Sequence, residues 1–249
     1  MSDSPTVVLV HGAFADASSF ARIIPELLAD GIKVLAPPVP NRGLSGDAAH
    51  IASVVRQIEG PVLLVGHSYG GAVITVAGAE KNVVGLVYLA GYALDEGETL
   101  GELQGRFPDS PLAAALVYSQ FPVAGSDEPG TDVSVDIDRL PEIFAADLDP
   151  DFARVLAVSQ RPLAAVAFGE PASAAAWKAK PSWGIVPTSD KTINPDVERF
   201  GYERAQMKVT EIDSSHVVML SHPAEVVGVI REALASVTAS DAGQPDAQA

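Results

Sequence analysis

The sequence predicts an α/β fold, a doubly wound and mostly parallel sheet with an inserted helical cap. Three observations carry this reading. Short β-branched runs alternate with helical repeats at the spacing of parallel β-α-β units. One apolar strand turns into a helix through Gly66-His67-Ser68-Tyr69-Gly70, and the alternation lapses between residues 95 and 180 before it resumes. With 249 residues, 47 % of them hydrophobic, the chain has enough apolar side chain for a continuous core.

Val7-Val8-Leu9-Val10 reads as the first strand, and residues 20–29 follow with helical spacing through Phe20, Ile23, Ile24, Leu27 and Leu28. Residues 32–36 form the second strand, closed by Pro37, Pro38 and Pro40, and residues 48–58 a helix opened by His50 and its neighbours. Residues 61–65 and 69–80 are the third strand and its helix. Residues 83–89 are a fourth strand, nearly all apolar, as expected where helices cover both faces. From 95 to 180, Pro, Gly and Asp punctuate helices expected at 111–120, 139–146, 151–158 and 162–168; a structureless stretch that long is improbable, so it reads as a cap over the carboxyl edge of the sheet. Strands at 183–187 and 208–212 and helices at 196–205 and 223–237 complete the chain, the last with Val226, Val227, Ile230 and Leu234 on one face. The expected organisation is a core of residues 1–94 and 181–238, a cap of 95–180, and a polar, disordered tail at 239–249.

A formal charge of −16 opposes binding to nucleic-acid phosphates and anionic lipid, and reads as a solvated acidic surface. The absence of cysteine excludes disulfides, thiol catalysis and thiolate metal sites, and no carboxylate cluster has calcium-loop spacing. No apolar run reaches the roughly 18 residues of a membrane span, and the first residues lack a basic start followed by an apolar stretch. A cytoplasmic protein with no membrane partner is expected; a homodimer is compatible with this composition.

The Gly66-to-Gly70 turn is the G-x-S-x-G pattern in its strand-to-helix setting, which makes Ser68 the candidate nucleophile. A serine hydroxyl needs a base that takes its proton, and the base needs a third group to fix its tautomer. His11 and His67 flank tight turns and suit packing behind the site; His50 and His222 suit surface or capping roles. His216 follows the last strand in Asp213-Ser214-Ser215-His216 and lies at the sheet edge where Ser68 stands. For the acid, Asp190 gives the chain order Ser, Asp, His and is the first choice, with Asp95 the rival and Asp213 third. The oxyanion donors expected are the amides of Tyr69 and Ala13, with Phe14 the alternative to Ala13.

With these residues in place the chain resembles the α/β-hydrolase superfamily, through Val8-Leu9-Val10-His11-Gly12-Ala13, Gly66-His67-Ser68-Tyr69-Gly70-Gly71, Ser189-Asp190-Lys191 and Ser215-His216. It most resembles the small branch of plant methylesterases and hydroxynitrile lyases, through Asp190-Lys191-Thr192-Ile193-Asn194-Pro195, Glu198-Arg199-Phe200 and His216-Val217-Val218-Met219-Leu220. The resemblance implies a catalytic Ser68, Asp190 and His216, a helical cap, and neither cofactor nor metal. The hydroxynitrile lyases differ in carrying threonine where Gly12 stands and lysine where Val217 stands. Since departing cyanide needs a cation that valine cannot supply, ester hydrolysis is favoured. The expected substrate is a small, uncharged ester in an apolar pocket lined by Phe14, Tyr92, Phe121 and Trp183 beside Tyr69. Lactone or amide hydrolysis, perhydrolysis, a lyase or cyclase step, and a non-catalytic binding module are the rival readings.

Overall fold

The computed structural model describes residues 4–242. The chain begins with β1 (Thr6–Val10), α1 (Ile24–Ala29), β2 (Val34–Leu35), α2 (Leu44–Arg56), β3 (Val62–His67), α3 (Tyr69–Ala77) and β4 (Val83–Leu89). The following stretch holds α4 (Leu100–Gln104), β5 (Leu116–Phe121), β6 (Gly130–Val135), α5 (Leu140–Phe144), α6 (Pro150–Ser159) and β7 (Leu163–Ala164). The remaining elements are β8 (Ser182–Pro187), α7 (Pro195–Arg204), β9 (Lys208–Ile212), α8 (Val218–Ser221) and α9 (Pro223–Ala242).

The apolar runs of β1, β3 and β4 are buried along almost their whole length, which places them inside a sheet covered on both faces. They are the middle of a six-stranded sheet in the order β2-β1-β3-β4-β8-β9, every neighbouring pair parallel. Because all strands point one way, the loops after β1, β3, β8 and β9 emerge at one edge, with the order reversing between β1 and β3. Open α/β sheets bind their ligands at such a reversal.

Helix α2 starts at Leu44, earlier than the spacing predicts, because the Asp47 carboxylate in its first turn accepts the amides of Arg42 and Gly43. His50 therefore lies within this helix rather than opening it. In α9 the buried side chains Val226, Val227, Ile230, Ala233 and Val237 form one stripe against the sheet. That helix runs to Ala242, so the first residues of the tail expected to be disordered are helical; residues 243–249 lie outside the described residues.

The stretch between β4 and β8 is less helical than expected. Helices occur near 139–146 and 151–158 as α5 and α6, but Leu116–Phe121 pairs antiparallel with Gly130–Val135, and Val133 pairs with Leu163 in a second, three-stranded sheet. Pro111 starts only a short 3-10 turn, after which the β-branched and aromatic residues of β5 take an extended form. β7 is two residues long, too short to carry a period. Among the described residues no helix is long and apolar enough to cross a membrane.

Candidate active site

β3 ends at His67 and α3 begins at Tyr69, so Ser68 alone makes the turn, at φ 55° and ψ −123°. A non-glycine residue there stores about 1–3 kcal/mol of strain and persists only when its surroundings over-determine it. Here the Ser68 amide donates to the Leu89 carbonyl at 3.1 Å, while its own carbonyl accepts from Gly71 at 2.8 Å and Tyr92 at 3.2 Å. The glycines let three backbones cross. A Cβ on Gly70 would lie 2.2 Å from the Val10 carbonyl oxygen, and one on Gly66 would lie 2.5 Å from that of Gly70. Gly70→Ala is thus expected to destabilise the protein by about 3 kcal/mol, read from urea denaturation; an unchanged midpoint would show that β1 and α3 can separate freely.

His216 lies in the loop after β9, and its Nδ1 is 2.6 Å from Asp190 Oδ2, both side chains fully buried. The Asp190 Oδ1 accepts from the amides of Thr192 at 2.7 Å and Ile193 at 3.2 Å, so the carboxylate is held from its own loop. With the Nδ1 proton committed to Asp190, Nε2 carries the lone pair. It is buried and has no hydrogen-bond partner among the described residues, Ser68 Oγ included. In resting enzymes this contact is commonly long and tightens around substrate.

The imidazole stands beside the elbow, its ring 4.7 Å from that of His67 and 4.9 Å from that of Phe144. His67 Nε2 donates to the His216 carbonyl at 3.1 Å. Burial, with His216 as neighbour, drives the His67 pKa well below the usual range and keeps that ring neutral. The other two carboxylates considered are engaged elsewhere: Asp95 pairs with Lys178, and Asp213 accepts from Ser189 Oγ at 2.7 Å.

After β1 the loop is pinned from behind by His11, whose Nδ1 donates to the Gly12 carbonyl at 2.9 Å and whose Nε2 accepts from the Val39 amide at 2.9 Å. A Cβ on Gly12 would fall 2.7 Å from Ser68 Cβ, so no side chain fits there unless the elbow moves. The Phe14 amide is spent on the Arg161 carbonyl at 2.9 Å, whereas Ala13 makes no such bond to a described residue. The Tyr69 amide, first in α3, has no carbonyl within its own helix. Those two amides are the available donors.

Residues 7–229 match the alpha/beta hydrolase family along most of the sheet and all the loops just described. The chain belongs to that family. It is 24 % identical to the alpha/beta hydrolase nvfD of Aspergillus novofumigatus (strain IBT 16806), over 92 % of this chain and 96 % of that one. A pyrethroid hydrolase of Sphingobium wenxiniae is 31 % identical over a shorter stretch, 33 % of this chain and 34 % of the relative's length. Among solved structures, a methylesterase from Arabidopsis superposes with a TM-score of 0.75 at 19 % identity, covering 93 % of this chain and 99 % of the other. At that identity the likeness is one of fold.

Of the pocket residues expected in this hydrolase, Phe14 lies at the site, its ring 6.4 Å from Phe144, in a narrow cleft shared with Leu156, Val217 and Leu220. Tyr92 is buried on the acid side, where burial and the nearby Asp190 and Glu198 push its phenol well above the usual range. Phe121 and Trp183 lie elsewhere. Phe121 stacks under the Arg42 guanidinium, 4.4 Å from ring centroid to Cζ, because the β5 hairpin carries it to a surface groove with Val123 and Thr131. Trp183 is near the amino end of β8, the far edge from Ser68, and its indole nitrogen donates to Glu232 on α9 at 3.1 Å.

Three residues absent from the expected constellation complete the site. Asp47 accepts from the Tyr69 hydroxyl at 2.7 Å, and Phe144 closes over His216. Asp147 accepts the Ser215 amide at 2.9 Å and hydrogen-bonds the Ser215 hydroxyl, gripping the loop that carries His216. Partial burial opposes it, but those Ser215 bonds hold the Asp147 carboxyl below its ordinary range. Among the described residues no group of three or more His, Asp or Glu side chains is arranged to hold a metal ion.

Proposed function

We propose that this alpha/beta hydrolase cleaves small, uncharged carboxylic esters through an acyl-enzyme on Ser68. The reading rests on one observation: a strained serine elbow beside a buried imidazole whose Nδ1 is committed to Asp190 at 2.6 Å. His216 Nε2 then takes the Ser68 proton as Oγ attacks the carbonyl carbon, and returns it to the leaving alcohol. The Ala13 and Tyr69 amides take the charge that develops on the carbonyl oxygen, each worth about 10²-fold to 10³-fold in rate. Water, activated by the same imidazole, releases the acid.

The apolar residues of the cleft at the site, Phe14, Phe144, Leu156, Val217 and Leu220, support an uncharged substrate. Residue 217, where a cyanide-releasing lyase would need a cation, is a buried valine. The names of the similar pyrethroid hydrolase and methylesterase are in keeping with an ester substrate. A cytoplasmic location and freedom from nucleic-acid partners are part of this proposal, in keeping with the net charge of −16.

Incubation with a fluorophosphonate probe, followed by peptide mapping, is expected to find the label on Ser68, with p-nitrophenyl butyrate turned over by the unlabelled protein alone. A folded protein that leaves Ser68 unlabelled would instead support a binding module without chemistry. Labelling without turnover of any simple ester would move the assignment to lactones, amides or another reaction of the same triad.

A further inference from the structure

The buried side chains of α7 include Val197, Glu198 and Tyr202, a stripe facing the sheet that puts a carboxyl where an apolar residue is ordinarily found. Glu198 is 1 % exposed. Neither of its oxygens meets an N–H or O–H donor among the described residues, and the group set beside it is the carboxyl of Asp190, from the loop just before this helix. Two carboxylates in a buried contact cannot both stay ionised, whereas one proton between them turns repulsion into a hydrogen bond. Asp190 is already fixed as an acceptor, taking the Thr192 and Ile193 amides on Oδ1 and facing His216 Nδ1 with Oδ2. The shared proton therefore resides on Glu198.

We propose that Glu198 is a positioning residue of the triad, a protonated buried acid that donates a hydrogen bond to Asp190 and draws charge away from the oxygen facing His216. This rests on the assignment of Asp190 and His216 as acid and base. Burial first, and Asp190 second, push Glu198 well above the usual carboxylate range, with Arg199 opposing and Glu211 adding to the rise. The other ionisable groups facing it are Tyr92, from the loop after β4, and Tyr202 on its own helix. Arg199 is tied at the surface to Glu211 and Asp196, which leaves Asp190 as the group in contact. Without the donor, the Asp190 charge would concentrate on the oxygen beside the imidazole. The protonated base would be held more firmly, and activity on the acid side would be lost at a higher pH.

The test compares the whole protein with Glu198→Gln, which keeps an N–H donor, and Glu198→Met, which keeps the length but has none. Infrared difference spectra at pH 7 are expected to show the carbonyl stretch of a protonated carboxylic acid in the wild type and its loss in Glu198→Gln. In Glu198→Met the acid limb of kcat/KM for p-nitrophenyl butyrate is expected to move up by about one pH unit. Its kcat should fall by about tenfold with KM held within about twofold, while Glu198→Gln stays within about threefold of wild type. A missing infrared band, or an acid limb that coincides in wild type and Glu198→Met, would overturn the proposal. Should Glu198→Met not fold, the Glu198→Gln spectrum decides alone. Fluorophosphonate labelling separates the two levels: a labelled Ser68 with no acid band rejects the role of Glu198 alone, and an unlabelled wild-type Ser68 rejects the triad and this proposal with it.

Discussion

Replacing Ser68 with alanine is expected to lower turnover of a short-chain p-nitrophenyl ester by up to the order of 10⁶-fold, by analogy with another serine hydrolase. The fold should survive, because the turn at residue 68 is held through its backbone by Leu89, Gly71 and Tyr92 and not through the hydroxyl. The residual rate should come from the Ala13 and Tyr69 amides and from binding, which together leave about 10³-fold over water in comparable enzymes. Single-turnover assays alongside a thermal melt check both parts. If the folded variant retained more than about a hundredth of wild-type activity, the nucleophile would have to lie elsewhere.

Asp190→Asn is the second large effect, a loss of about 10⁴-fold in kcat. The direction follows from which side of the carboxyl is already occupied. The Thr192 and Ile193 amides require an acceptor at the Oδ1 position, so an asparagine must turn its carbonyl oxygen there and its NH₂ toward His216. Facing a donor, His216 must present a bare Nδ1 and carry its proton on Nε2, the atom that has to accept the Ser68 proton. Asp95→Asn, by contrast, disturbs a half-exposed pair with Lys178 and a local bond from the Glu96 amide, and is expected to change kcat by no more than about twofold. Measuring kcat for the two variants side by side tests the assignment, and a larger loss at residue 95 would reverse it.

The sheet was legible in the sequence because its central strands are apolar on both faces, so the runs in β1, β3 and β4 stand out without any period. The meeting of Ser68, Asp190 and His216 at one edge was legible for a related reason: each sits just past a strand, and parallel strands deliver their ends to one edge. What could not be read depends on contacts made between distant parts of the chain. The Phe14 amide is unavailable because the Arg161 carbonyl reaches it, and no pattern near residue 14 says so. Phe144 and Asp147 come from the inserted stretch, whose placement over His216 is set by packing and not by a repeat. Trp183 was misplaced although its position could be read: it stands at the start of its strand, and the first residues of a parallel strand lie at the amino edge of the sheet, opposite Ser68. Glu198 stood in a motif of the resemblance, but a lone acid in a helix carries no sign that it will be buried.

The grip of Asp147 on Ser215 and of the Arg161 carbonyl on the Phe14 amide has an implication for how such proteins diversify. The stretch between β4 and β8 is where relatives would be expected to differ in order to accept new substrates, yet here it also braces the loops that carry His216 and Ala13. A chimaera that imported this stretch from another hydrolase would bring a new pocket and remove both braces at once. Change of specificity and retention of rate are thereby linked, because Phe144 and Leu156, which wall the cleft at the site, come from the same stretch as the braces.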